Sequence, residues 1–258
     1  MRGSGTATVK RPAEISRMRE AGAILAGILE VLRAELRPGV STGELDAIAE
    51  RMIRDAGAVP SFKGYGGNPP FPGSICASIN DEVVHGIPSP HRRLADGDLI
   101  SVDIGCILEG WHADCARTWT VGRVPRAVSD LIEATRSGME AGIAAAVAGN
   151  RIGDIGHAIE SVAHRHGYGI VRPFVGHGIG QQMHEEPNVP NHGRPGTGML
   201  IEPGMCFAIE PMFNLGGDDV FVEEDGWTVR TSDGSLSAHF ENTIAVTENG
   251  PDVLTELR

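Results

Sequence analysis

"GELDAIAERMIRDAG" (residues 43–57) and "GDIGHAIESVAHRHG" (residues 153–167) lie 110 positions apart and read as one pattern. Each opens on a glycine followed by an acid, carries apolar residues at helical spacing and closes on glycine. In the first copy Leu45, Ile48, Ala49 and Met52 mark one helix face, and Ser41 with Glu44 forms a capping box at its start. A longer helical stretch precedes each copy. The first runs from Pro12 to about Leu36, with Ile15, Met18, Leu25, Ile28, Leu29 and Leu32 in phase; the second runs from Ser129 to Ala148.

The correspondence continues downstream. "HGI" occurs at His85 and again at His177. "GDLISVD" (97–103) parallels "GMCFAIE" (204–210), each a glycine, a strand-like run and a closing carboxylate. "HAD" at His112–Asp114 parallels "HFE" at His239–Glu241, each leading into a β-rich stretch, "RTWTV" and "NTIAV". The common order of these matches predicts a duplicated α/β unit, folded as two related halves around one central sheet.

Composition narrows the function classes. The 258 residues are 41% hydrophobic and 22% charged, the profile of a globular protein with a sizeable core. A net charge of −12 excludes a broad nucleic-acid surface, so no DNA partner is expected. Lys10, Arg11, Arg17 and Arg19 form a small basic cluster that reads as a solvated helix face. No apolar run reaches membrane-spanning length, and "MRGSGTATVK" (1–10) reads as a flexible tail without the apolar centre of a signal peptide. Cys76, Cys106, Cys115 and Cys206 form no C-x-x-C pair and are expected to be reduced, which points to the cytoplasm.

If the halves pack about a pseudo-twofold axis, equivalent residues converge on it. That set is Asp103, Asp114, His177, Glu210 and Glu241, with His85 and His184 nearby. Four carboxylates in one interior site repel one another, and two divalent cations would cancel their charge. One imidazole among carboxylates suits Mn, Fe or Co, with Zn also compatible. "VGHGIGQQMHEEP" (175–187), which carries both His177 and His184, is too glycine-rich for a helix and reads as a loop or strand edge. Other site classes do not fit. "HEEPN" lacks the second histidine of H-E-x-x-H, "GHGIG" is not a dinucleotide fingerprint, and "GVSTG" has no strand leading into it as a nucleophile elbow requires.

"SINDEVVHGIP", "DLISVDIG" with "WHAD" downstream, "GHGIGQQMHEEP", "FAIEPM" and "SAHFENTIAVTENG" together resemble the methionine aminopeptidases of the short bacterial type (type I), from about residue 11 to the C-terminus. The resemblance implies a pita-bread fold: an α/β (α+β) domain, residues 11–258, with halves at about 11–125 and 126–258 and a central antiparallel sheet covered by helices. It implies two divalent ions. Asp103 would bind the second ion, Asp114 and Glu241 would bridge the two, and His177 with Glu210 would complete the first. Glu210 would also handle a proton, and His85 and His184 would contact the scissile peptide. Phe71, Cys76, Met183 and Trp227 match the methionine pocket.

The implied substrates are nascent polypeptides and peptides with an N-terminal methionine and a small second residue. The implied setting is a monomer in transient contact with the ribosome, away from membranes. Two rival readings are a dimetal peptidase of the prolidase or aminopeptidase P type, and a pita-bread binding module without catalysis.

Overall fold

The computed structural model describes residues 7–257. The first set of elements is α1 (Pro12–Glu35), α2 (Thr42–Asp55), β1 (Val59–Pro60), β2 (Ile75–Ile79), β3 (Glu82–Val84), β4 (Leu99–Leu108) and β5 (Trp111–Thr120). The second begins with α3 (Arg126–Ala145) and α4 (Ile152–His166) and continues through β6 (Gly169–Ile170), β7 (Gly176–Gly178), β8 (Glu185–Val189), β9 (Cys206–Ile209) and β10 (Met212–Asn214). It closes with β11 (Val220–Val222), β12 (Val229–Thr231), β13 (Ser237–His239), β14 (Glu241–Thr247) and β15 (Gly250–Val253).

The two repeated segments are α2 and α4, and they are built alike. Ser41 Oγ accepts from the Glu44 N–H at 3.2 Å while the Glu44 carboxylate accepts from the Ser41 N–H at 2.8 Å. At α4 the Arg151 N–H donates to Asp154 at 2.7 Å. The shared first glycine has one cause in both copies, a neighbouring chain crossing the helix. A Cβ on Gly43 would come within 2.6 Å of Pro90 N, and one on Gly153 within 2.4 Å of Arg194 O.

Nine strands form one sheet, whose main path runs β1-β4-β5-β14-β9-β7-β8, with every pairing antiparallel. The halves meet at the β5/β14 seam, where Glu241 lies opposite Ala116 and Asn242 opposite Cys115. Each half has its own apolar core. Leu25, Leu29 and Leu32 of α1 pack with Ile100, Val102 and Ile104 of β4; Met139, Ile143 and Ile159 of α3 and α4 pack with Phe207, Ile209 and Ile244. The helices therefore cover one face of the sheet, and strand alternation leaves the intervening residues for the other.

The segment read as a tail, 1–10, lies outside the described residues over 1–6, and its last residues are tied down. Lys10 is buried, pairs with Glu185 at 2.8 Å and donates its N–H to Gly204 O, while the Thr8 hydroxyl also bonds Glu185. Within the basic cluster Arg11 and Arg17 lie on the expected solvated face, paired at the surface with Glu14 and Glu109, whereas Arg19 is half-buried against Asp252. Among the described residues no helix is long and apolar enough to cross a membrane.

Candidate active site

Asp103 sits between Val102 and Ile104, which both enter the first core, so its carboxyl points to the helix-free face. The same alternation turns out Asp114, between Ala113 and Cys115, and Glu210, directly after the core residue Ile209. Glu241, beside the core residue Phe240, joins them. His177 comes from β7, which lies within the sheet between β8 and β9. The stretch read as a loop or strand edge is thus divided, with His177 on an interior strand and His184 in the turn before β8. The glycine signal there has a different origin from turn formation: a Cβ on Gly178 would lie 2.3 Å from Glu186 O.

These five side chains line one cavity of about 140 Å³ together with His85 and His184. One ligand atom each from Asp114, His177 and Glu241 lies within 4.8 Å of the others, and His177 Nε2 is 3.5 Å from Glu210 Oε1. Asp103 Oδ1, Asp114 Oδ1 and Glu241 Oε1 are buried with no hydrogen-bond partner. Unpaired buried carboxylate oxygens are costly, and among the described residues none donates to these three. Burial pushes the Asp103 carboxyl up to about 7. Burial, followed by the charges of neighbouring carboxylates, holds Asp114, Glu210 and Glu241 well above the ordinary range.

His177 is driven down to about 3, by burial and then by His184, and so is neutral. Its Nδ1 lies 2.9 Å from Gly178 O, and donation there leaves the Nε2 lone pair facing the carboxylates. Orphaned acceptors and one neutral imidazole form a donor set for divalent cations.

The flanking histidines differ in setting. His85 follows β3 with φ 60°, and burial lowers its pKa to about 4. His184 is exposed, its ring 4.3 Å from that of His177 and its Nδ1 2.6 Å from the Tyr65 hydroxyl. Phe71, Cys76 and Met183 form an apolar cluster beside the carboxylates, with Trp227 packed against it. Cys76 lies opposite Asp103 in the β2/β4 register, and Trp227 meets Phe71 edge-on at 5.3 Å while donating Nε1–H to Pro69 O.

Phe62 and Tyr65 also line the cavity, and the sequence reading missed both. Their signal, two aromatics three apart in "SFKGY", carries no periodicity that would set it apart from an ordinary loop. His112 and His239, paired in the repeat but given no role, are both buried near the site. His112 Nδ1 is 3.0 Å from Ser61 Oγ, and His239 Nε2 is 3.8 Å from Glu210 Oε2.

The profile of metallopeptidase family M24 matches residues 16–248. A methionine aminopeptidase of Clostridium acetobutylicum is 51% identical over 96% of this chain and 98% of its own. The chain belongs to the methionine aminopeptidases. The crystal structure of methionine aminopeptidase from Rickettsia prowazekii superposes with a TM-score of 0.94 at 40% identity, covering 97% of this chain and all of that one. The α/β pita-bread architecture is therefore that of the methionine aminopeptidases. A prolidase from Pyrococcus furiosus shares the fold alone, with a TM-score of 0.78 at 22% identity, and this chain spans 66% of its length. The methionine aminopeptidase reading is accordingly favoured over the prolidase-type and non-catalytic alternatives.

Proposed function

We propose that this cavity removes the N-terminal methionine from nascent proteins and peptides, with divalent metal ions held on the seam between the halves. The carrying observation is that orphaned, buried carboxylate oxygens share a cavity with an apolar cluster suited to a thioether side chain. Aromatic rings around sulfur add favourable contacts, so Phe62, Phe71 and Trp227 favour methionine over an aliphatic chain of equal length.

Two ions balance the four carboxylates. Asp103 would serve the second ion, His177 and Glu210 the first, with Asp114 and Glu241 shared. Such ions polarise the scissile carbonyl and acidify a water to near-neutral pKa. The chain's own residues then divide the remaining work. Glu210, with one oxygen beside His177, takes the proton of the attacking water and returns it to the departing amine. His85 and His184 bracket the scissile peptide, and His184, oriented by Tyr65, donates to the oxygen on which negative charge builds. Acids at the closed end receive the free α-amino group, which restricts cleavage to the first residue.

Mn, Fe, Co and Zn all suit this set, and membership of the methionine aminopeptidases supports a preference for a small second residue such as Gly, Ala or Ser. The site is complete within one chain, which supports a monomer working as one unit over 11–258 and meeting nascent chains in brief contact with the ribosome. Four buried, unpaired cysteines support a reducing, cytoplasmic setting. The test is hydrolysis of Met-Ala-Ser, Met-Leu-Ser and an Ala-Pro peptide by stripped enzyme reloaded with each metal singly. Cleavage of Met-Ala-Ser far above the other two supports the reading. Comparable cleavage of Ala-Pro, or turnover in excess chelator, overturns it.

A further inference from the structure

His239 is the most deeply enclosed imidazole near the site, 1% exposed at the end of β13. Its backbone is fixed, because the N–H donates to Thr118 Oγ1 at 2.9 Å while the carbonyl accepts from the same hydroxyl at 2.7 Å. Its Nε2 is buried and has no hydrogen-bond partner. The atom is aimed into a second small cavity, about 110 Å³, whose lining includes His85, Asp103, His184 and Glu210. The acceptor it faces there is Glu210 Oε2, at 3.8 Å. The other oxygen of that carboxylate, Oε1, lies 3.5 Å from His177 Nε2. Glu210 therefore stands between two imidazoles, one oxygen towards each.

A carboxylate that both holds an ion and carries a proton must keep its two oxygens distinct. A donor fixed on one oxygen prevents both from turning to the same cation. Resting on the function proposed above, we infer that His239 is a positioning residue for Glu210. Its Nε2–H engages Oε2, directly or through one water, and so leaves Oε1 beside His177. A water fits the cavity and would find several polar partners there. Nε2 is the ring atom that faces Glu210 Oε2, and the geometry assigns the N–H to it.

The experiment compares His239→Leu, which removes the donor, with His239→Gln, which restores one, each alone and combined with Glu210→Gln. Steady-state kinetics on Met-Ala-Ser are paired with calorimetric titration of the stripped proteins with Mn. Loss of one such hydrogen bond lowers kcat about tenfold, with KM unchanged within about twofold, and shifts the affinity of the tighter ion by a similar factor. Glutamine recovers most of both. On the Glu210→Gln background, His239→Leu has no further effect on either quantity. Wild-type kcat and affinity in a folded His239→Leu protein overturn the inference, as does an undiminished effect on the Glu210→Gln background.

Should the leucine variant fail to melt cooperatively, ¹⁵N NMR of the wild-type, zinc-loaded enzyme decides. An Nε2–H tautomer protected from exchange supports the role, and an Nδ1–H tautomer overturns it. If Glu210→Gln itself turns over like wild type, the proposed function fails. If that variant is inactive and His239→Leu is not impaired, only the role of His239 fails.

Discussion

In the first half β4 and β5 form one unbroken hairpin, paired from Leu99↔Thr120 to Leu108↔Trp111. Their counterparts in the second half are interrupted. β9 ends at Ile209 and β10 starts at Met212, with Glu210 and Pro211 between, while Phe240 separates β13 from β14. Asp103 and Asp114 thus stand on a continuous ladder, which holds ligands rigidly. Glu210 stands at a break, where Pro211 supplies no N–H to a ladder and the carboxylate lies between His177 and His239. The repeated "HGI" diverges in the same way. His177 is locked into β7 of the main sheet, whereas His85 takes a left-handed backbone beside the small sheet formed by β11, β12 and β3. The two halves keep the residue types, and under the proposed function their backbone geometry separates holding an ion from acting on the substrate.

The sharpest way to break this comparison is to exchange an acid for its amide in each half. Glu210→Gln is expected to lower kcat by about 10³–10⁴-fold with no rescue by excess metal, because the proton carrier is gone. Asp103→Asn is expected to be partly rescued as Mn is raised. Equal rescue of both in a metal titration of kcat would remove the distinction. The histidine pair comes next. His184→Ala should keep near-normal metal content and slow turnover by about 10²–10³-fold, whereas His177→Ala should lose metal and regain activity when it is supplied. Metal content per chain and kcat, measured together, decide; the opposite pattern would exchange their roles.

A smaller effect concerns stability. Asp103 binds its proton up to about pH 7, against an ordinary carboxyl value near 4 in the unfolded chain. Between those values Asp103 holds a proton in the folded metal-free protein that it lacks in the unfolded chain. Its contribution to stability therefore falls as pH rises, opposite in sign to that of the buried neutral histidines His85 and His177. Melting of the stripped wild type and of Asp103→Asn from pH 4.5 to 7.5 should show the wild type losing stability relative to the variant as pH rises, and loading the wild type with Zn should flatten that fall. A wild type that gains stability relative to Asp103→Asn over that range would contradict the burial of this acid. The least effect is expected from Tyr65→Phe, which removes one exposed hydrogen bond to His184. A kcat reduced about three- to tenfold with unchanged metal content is expected; loss of metal would mean that Tyr65 supports the ligands instead.

The repeat, the caps of α2 and the converging acids were legible because each rests on short-range spacing, such as Ser41 to Glu44 or the strand-ending acids Asp103 and Glu210. The apolar pocket was legible only in part. Phe62 and Tyr65 come from a segment without periodicity, and their place depends on how it folds against Met183 and Trp227. His177 was assigned to irregular chain because glycine was read as flexibility, whereas Gly178 permits close strand packing. The anchoring of Lys10 by Glu185 joins positions 175 residues apart, a separation across which no local pattern reports. His239 looked idle because its partner, Glu210, follows a different strand and no local spacing links the two.

The β5/β14 seam also has a consequence for the order in which the protein is made. Asp103 and Asp114 leave the ribosome early, but Glu241, which faces Ala116 across that seam, emerges more than a hundred residues later. Synthesis halted between β5 and residue 241 therefore yields the β4/β5 hairpin without the strand that faces it across the seam. The seam closes only when nearly the whole chain has been made, and truncated chains are expected to show no peptidase activity.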